Sequence, residues 1–181
     1  GAMKSGGFVW LNGQYIGYSQ GSKLPAEFNI TKAAKVGENT LAIQIFRWTD
    51  GSYLECQDFW RISGIERSGY VYAQPKLRIE DFEVVSFLDD SYKNGTFQLD
   101  VNLKNHHSKT QKFSILYKIL DSKLNTINSG EKDFKIDGSK NQLAGFNAII
   151  NQVKPWSAEH PNLYTLILEL KDNKGKTLEA T

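Results

Sequence analysis

The densest group of reactive side chains lies between Arg47 and Arg67. Asp50, Glu55 and Asp58 supply carboxylates there, Arg47, Arg61 and Arg67 supply guanidinium groups, and Trp48, Tyr53 and Trp60 supply flat aromatic faces. Glycoside hydrolysis uses two carboxylates about 5–9.5 Å apart, one protonating the leaving oxygen and one acting as nucleophile or base. On that chemistry Asp50, Glu55 and Asp58 make a candidate pair and a spare. The competing reading is a long loop. Its carboxylates cap turns or pair with Arg47, Arg61 or Arg67, and its tryptophans bury against neighbouring structure. That second reading is favoured, because charged loop residues need no catalytic role to explain them. The aromatics offer a further option, since sugars stack on exposed rings and Trp10, Tyr15, Tyr18, Trp48, Tyr53 and Trp60 are available. Most tryptophans are largely buried, so packing is favoured here as well.

Other chemistries have weaker signals. Cys56 stands alone, which excludes an internal disulfide and a multi-cysteine zinc site. No base or resolving partner is identifiable for it, so it reads as inert. His106-His107 falls in a turn, where adjacent imidazoles meet one metal ion less readily than an i, i+4 pair does. No metal ligands are assigned. Phosphate loops, dinucleotide fingerprints and nucleophile elbows are missing from the sequence. The 181 residues are 40% hydrophobic, 23% charged and 12% aromatic, a globular composition. Lys plus Arg total 22 and Asp plus Glu total 20, for a net charge of +2. That balance gives no footprint for nucleic acid or an anionic membrane. No apolar run reaches the length of a membrane-spanning helix.

The elements that must position these residues read as strands. Phe8–Leu11 and Gln14–Tyr18 flank Asn12-Gly13, the strongest short signal for a two-residue hairpin turn. Leu41, Ile43 and Ile45 alternate with Ala42, Gln44 and Phe46 after a turn at Gly37-Glu38-Asn39, predicting another strand. Ile30–Ala34 fits one helical turn capped by Asn29. From about Pro75 the texture changes. Phe97, Leu99, Val101 and Leu103 share one face, as do Phe113, Ile115, Tyr117 and Ile119, and then Tyr164, Leu166, Leu168 and Leu170. Turn signals fall at Lys93-Asn94-Gly95, Asn105–Ser108, Asn128-Ser129-Gly130, Asp137-Gly138-Ser139 and Asp172–Gly175. Asp89-Asp90 reads as a turn too. About seven strands between Arg78 and Thr181 suit an immunoglobulin-like sandwich. Residues 1–73 are few for an independent core. Gly1-Ala2-Met3 reads as the remnant of a cleaved tag and is set aside. The simplest organisation is a truncated first domain, residues 1–73, and a complete second one, residues 74–181. The truncated sheet is expected to expose an apolar face and open edges, and to pair with a second copy or behave poorly.

Several stretches have a familiar look. Asn12-Gly13 followed by Gly17-Tyr18-Ser19-Gln20-Gly21-Ser22-Lys23-Leu24-Pro25-Ala26-Glu27-Phe28 resembles part of the first domain of the β-galactosidases of glycoside hydrolase family 2. The block from Arg47-Trp48 to Gly64-Ile65-Glu66-Arg67 resembles the next one in those proteins. Trp156-Ser157-Ala158-Glu159 and Pro161-Asn162-Leu163-Tyr164 resemble the end of their immunoglobulin-like domain. The resemblance implies an all-β fold: the C-terminal part of a jelly-roll sandwich, then an immunoglobulin-like β-sandwich. It also implies a longer parent with a catalytic barrel that holds both catalytic glutamates. The implied parent is a retaining enzyme acting on terminal β-galactosides, with Mg and Na as the cofactors that the resemblance allows for it. This stretch then has no cofactor and no catalytic residue of its own, and shapes the active-site rim and subunit contacts. Asp50, Tyr53, Glu55, Asp58 and Trp60 are the rim candidates. Where some members carry an Asp that helps form a galactose and sodium site, this sequence has Gly21, which has no side-chain oxygen. The region matching a loop that reaches a neighbouring subunit, about Ile136–Gly145, is short. The alternatives are a stand-alone carbohydrate-binding module using exposed tryptophans, and a structural pair of sandwiches with no ligand.

Overall fold

The computed structural model describes residues 2–55, 58, 60 and 62–181, so Cys56 and Arg61 lie outside the described residues. Strands hold 52% of the chain and helix 3%, as the all-β reading requires. The chain forms two compact units, Gly1–Tyr72 and Ala73–Thr181.

In the first unit, β1 (Met3–Lys4) leads into β2 (Gly6–Leu11), β3 (Gln14–Gln20), β4 (Leu41–Phe46), the helix α1 (Asp50–Leu54) and β5 (Gly64–Ile65). β2 and β3 form the hairpin expected at Asn12-Gly13, whose φ angles of 53° and 79° are the two positive values of a type I′ turn. β4 joins the other side of β2, giving an antiparallel sheet of order β3-β2-β4. Asn12 also anchors the connection between β3 and β4. Its side chain donates to the Ala33 carbonyl and to Asn39 Oδ1, both at 2.9 Å, and accepts from Thr40 N at 3.0 Å. The helical turn expected at Ile30–Ala34 is present, with Thr31 N donating to Asn29 Oδ1 and both Ala33 N and Ala34 N donating to the Ile30 carbonyl.

The two faces of this sheet differ. On one, Val9 and Leu11 are buried, but Leu41 and Ile43 beside them stay 50% and 41% exposed. On the other, the Phe8 ring lies 4.8 Å from Tyr18, 5.7 Å from Phe46 and 5.8 Å from Trp10. Ala2 and Met3, set aside in the sequence reading, are buried here. Met3 pairs with Ile65, and the Ala2 carbonyl accepts from Glu66 N.

The second unit has seven strands in two antiparallel sheets: β6 (Leu77–Leu88), β7 (Gly95–Asn105), β8 (Gln111–Leu120), β9 (Thr126–Ile136), β10 (Asn141–Ile150), β11 (Thr165–Asp172) and β12 (Thr177–Ala180). Their orders are β10-β7-β6 and β12-β11-β8-β9. The chain changes sheet after β7, β9 and β10, as an immunoglobulin-like sandwich requires. The alternation expected on β7 and β8 sets the core: Leu99, Val101, Leu103 and Ile115 are fully buried, packed with Phe97, Phe113, Tyr117 and Phe146. Asn105 is fully buried as well. Its Nδ2 donates to the Lys109, Ile136 and Asp137 carbonyls at 3.0–3.2 Å, tying two turns together.

Two sequence expectations need correction. Asn128-Ser129-Gly130 is not a turn but the middle of β9, paired with Ile119, Lys118 and Tyr117. Glycine serves close approach there, since a Cβ on Gly130 would lie 2.6 Å from the Tyr117 ring. Asn128 Oδ1 accepts from the Tyr117 hydroxyl at 2.7 Å. The β8–β9 turn instead lies at Asp121–Asn125, closed by Asp121. On β11, Leu168 and Leu170 are fully buried, but Tyr164 precedes the strand and its hydroxyl accepts from Lys154 N at 2.8 Å.

Candidate functional site

The segment from Arg47 to Arg67 leaves β4 and folds first into α1, under Thr49 as N-cap. Thr49 N donates to Ser52 Oγ at 2.9 Å, and Ser52 Oγ donates to the Arg47 carbonyl at 3.1 Å. Ser5, almost fully buried, lies against the Phe46 and Arg47 carbonyls and accepts from Thr49 Oγ1 at 2.8 Å. At the far end, Lys4 Nζ donates to the Trp60 carbonyl at 2.9 Å and pairs with Glu66 at 3.7 Å. Two adjacent residues, Lys4 at the end of β1 and Ser5 between β1 and β2, thus hold both ends of a segment about forty to sixty positions away.

The sequence candidates separate into two groups. Asp50 Oδ1 accepts from Gln20 Nε2 and from Gly51 N. The Gln20 bond, followed by the Gly51 N–H, holds its carboxyl below the usual carboxylate range. Glu55 Oε2 accepts from Ser22 N at 2.9 Å, and the Ser22 hydroxyl and then this N–H hold the Glu55 carboxyl low. Tyr53, Asp58 and Trp60 are exposed, Tyr53 at 75% and Trp60 at 81%. Trp48 is half exposed, its ring 6.4 Å from that of Tyr53 and its face 5.1 Å from the Arg47 guanidinium. The bland reading of the carboxylates, as turn and helix anchors, therefore describes Asp50 and Glu55. Among the described residues their partners are Gln20 and Ser22 rather than Arg47 or Arg67, and Arg61 lies outside the described residues.

This chemistry suits support better than proton transfer. A general acid working near neutral pH needs its pKa raised by an apolar site. Asp50 and Glu55 are shifted the other way and stay ionised. Segment 18–22 does not suit the sodium site implied for some relatives. Gly21 has no side-chain oxygen, Gln20 Oε1 accepts from Tyr18, and Ser22 turns its N–H to Glu55. Among the described residues, no three or more His, Cys, Asp and Glu side chains gather to hold a metal ion. His106 and His107 lie in the β7–β8 turn, where His107 N donates to Asn105 Oδ1. Sequence reasoning missed Lys4, Ser5, Gln20 and Ser22 as organisers of the segment. The only signal for the last two was that both fall inside the Tyr18–Phe28 block.

The fold defines two consecutive β units, the second a β-sandwich and the first a three-stranded sheet bearing a tethered, aromatic-rich surface segment. Residues 1–75 match the sugar binding domain of glycosyl hydrolases family 2, and residues 77–181 match a second domain of glycosyl hydrolases family 2. The chain belongs to this family. It is 38% identical over 179 residues to a beta-galactosidase of Priestia megaterium, with 98% of this chain covered. It is 35% identical over 175 residues to a beta-galactosidase of Vibrio vulnificus. The chain spans 17% of the length of each. Among solved structures, a beta-glucuronidase from glycoside hydrolase family 2 superposes with a TM-score of 0.84 at 16% identity, covering 99% of this chain and 21% of that one. A putative beta-galactosidase from Bacteroides fragilis gives 0.80 at 16% identity, covering 99% and 28%. These structural likenesses establish the fold.

Proposed function

We propose that the chain is a pair of non-catalytic β domains from a longer, retaining β-galactosidase, and that its Arg47–Arg67 segment contributes to the rim of the active site. The observation that carries this reading is the division of labour within the segment. Asp50 and Glu55 spend their carboxylates on anchoring bonds, while Tyr53, Asp58 and Trp60 are exposed, Tyr53 beside Trp48. Exposed aromatics and an exposed carboxylate on one segment suit contact with a sugar, with rings stacking on its apolar face and oxygens accepting from its hydroxyls. The similarity of nearly the whole chain to beta-galactosidases supports β-galactosides as the substrate of the longer protein. Any Mg or Na ion it uses is proposed to bind outside this chain.

The test is kinetic. In the longer protein, Tyr53→Ala, Asp58→Asn and Trp60→Ala should each lower kcat/KM on a chromogenic β-galactoside by about tenfold, a loss of roughly 1.4 kcal/mol of transition-state binding. The melting temperature should not move. Unchanged kinetics in all three would remove the rim role.

A second reading has its own support in the neighbouring exposed rings of Trp48 and Tyr53: a stand-alone module that binds carbohydrate. A shift of tryptophan emission when this chain alone is titrated with galactosides would favour it, and a silent titration would favour the rim. Contact with a second copy, through the uncovered Leu41 and Ile43, predicts dimers on a sizing column.

A further inference from the structure

Gln20 ends β3 and Ser22 lies two residues on, yet they bond carboxylates 30 and 33 positions away. We propose that Gln20 and Ser22 are positioning residues, a two-point clamp that fixes α1 and so the direction in which Tyr53 and Trp48 face. The claim that this matters to substrate rests on the rim reading above.

α1 cannot hold itself in place. It has five residues, well short of the roughly 12–15 an isolated helix needs to be even marginally stable in water. Its apolar packing is slight: the buried residues are Gly51 and Ser52, while Tyr53 and Leu54 are 75% and 81% exposed. Tertiary hydrogen bonds must therefore set its position, and those to ionised carboxylates are the strong ones. The two anchors sit at opposite ends. Asp50 is the first helical residue and Glu55 the C-cap. Ser5 already ties the N-cap through Thr49 Oγ1, and the two carboxylate bonds add a constraint at each end of the helix.

The Gln20 side chain is engaged on both sides. Its Oε1 accepts from the Tyr18 hydroxyl at 2.8 Å, and its Nε2 donates to Asp50. Tyr18, Gln20 and Asp50 thus form a directed chain from the hairpin to the helix, and rotating the amide by half a turn would break both links. Gly51 makes room for it, because a Cβ there would lie 2.9 Å from Gln20 Nε2. Between the anchor residues, Gly21 takes φ +133°, open to glycine and strained for other residues. This turn lets the Gln20 side chain and the Ser22 N–H address the same helix.

Hydrogen–deuterium exchange on the 181-residue chain tests the clamp. Gln20→Ala and Glu55→Ala should each lower protection of the amides in residues 49–55 by about threefold to tenfold. Far-UV circular dichroism should stay unchanged. Glu55→Gln keeps an acceptor oxygen and should retain most of the protection. The same variants in the longer protein should raise KM for a chromogenic β-galactoside more than they lower kcat, with Glu55→Gln restoring it. Unchanged protection in both alanine variants would overturn the clamp. Lost protection with unmoved kinetics would overturn its role towards substrate, and would place the failure in the rim reading.

Discussion

The two units handle the same strand alternation in opposite ways. In the second, Leu99, Val101 and Leu103 on one sheet face Ile115, Leu168 and Leu170 on the other, and all are fully buried or nearly so. In the first, β4 has the same spacing in Leu41, Ile43 and Ile45, yet Leu41 and Ile43 remain 50% and 41% exposed. Alternation decides which side of a strand is apolar. Burial requires a second layer against it. The second unit has its layer in full. The first adds specific hydrogen bonds to a smaller apolar core: Asn12 to the β3–β4 connection, Ser5 at the base of α1, Lys4 at the end of the segment, and Gln20 and Ser22 on the carboxylates.

The comparison can be tested by substitution. The largest effect is expected in the sandwich core. Leu99→Ala or Leu168→Ala should destabilise the second unit by about 2–5 kcal/mol in urea unfolding, while Ile43→Ala in the first should cost only about 1–1.5 kcal/mol. Equal costs would erase the distinction between the units. Asn105→Ala comes next. It leaves buried carbonyls of two turns without a donor, at a cost of about 1–3 kcal/mol. Gly130→Ala forces a methyl onto the Tyr117 ring and should cost about 1–3 kcal/mol. A neutral result would show that the ring can move aside.

A smaller effect should appear in acid. Asp89 closes the β6–β7 turn, accepting from Lys93 N, Asn94 N, the Asn94 amide and Ser91 Oγ. The Asn94 N–H and then the Ser91 hydroxyl hold its pKa down to about 2, from an ordinary 3.8. A carboxyl depressed by folding stabilises the native state above its unfolded pKa. Its contribution should be present above pH 3.8 and disappear as pH falls from there to about 2. Asp121 and Asp172 close their turns in the same way and shift in the same direction. Asp89→Asn should flatten this acid limb in thermal melts across the range, and a limb of unchanged steepness would assign it to other groups. The smallest stability change is expected for Tyr53→Ala and Trp60→Ala, within about 0.5 kcal/mol, because both side chains are exposed.

What was legible in the sequence follows the range of the interactions. The Asn12-Gly13 hairpin and the faces of β7 and β8 were readable because turn chemistry and two-residue alternation are local. The Asn128-Ser129-Gly130 error came from the same local reasoning. Asparagine and glycine mark turns, but there they serve a tyrosine ring on the adjacent strand. The aromatic and acidic character of the Arg47–Arg67 segment was plain, and so was the possibility that its carboxylates anchor turns. The partners were not, because nothing along the chain links Gln20 to Asp50 or Lys4 to Trp60. Those bonds exist only once β1, β3 and the segment have met in space.

The central claim is that these domains support chemistry performed elsewhere in a longer chain. It is tested most directly by assaying the purified 181-residue chain on a chromogenic β-galactoside, beside the longer protein and beside the chain carrying Asp50→Asn, Glu55→Gln and Asp58→Asn together. The account predicts turnover by the longer protein and none by either form of the isolated chain. Turnover by the chain that disappears with the three substitutions would contradict it, and would make those carboxylates catalytic.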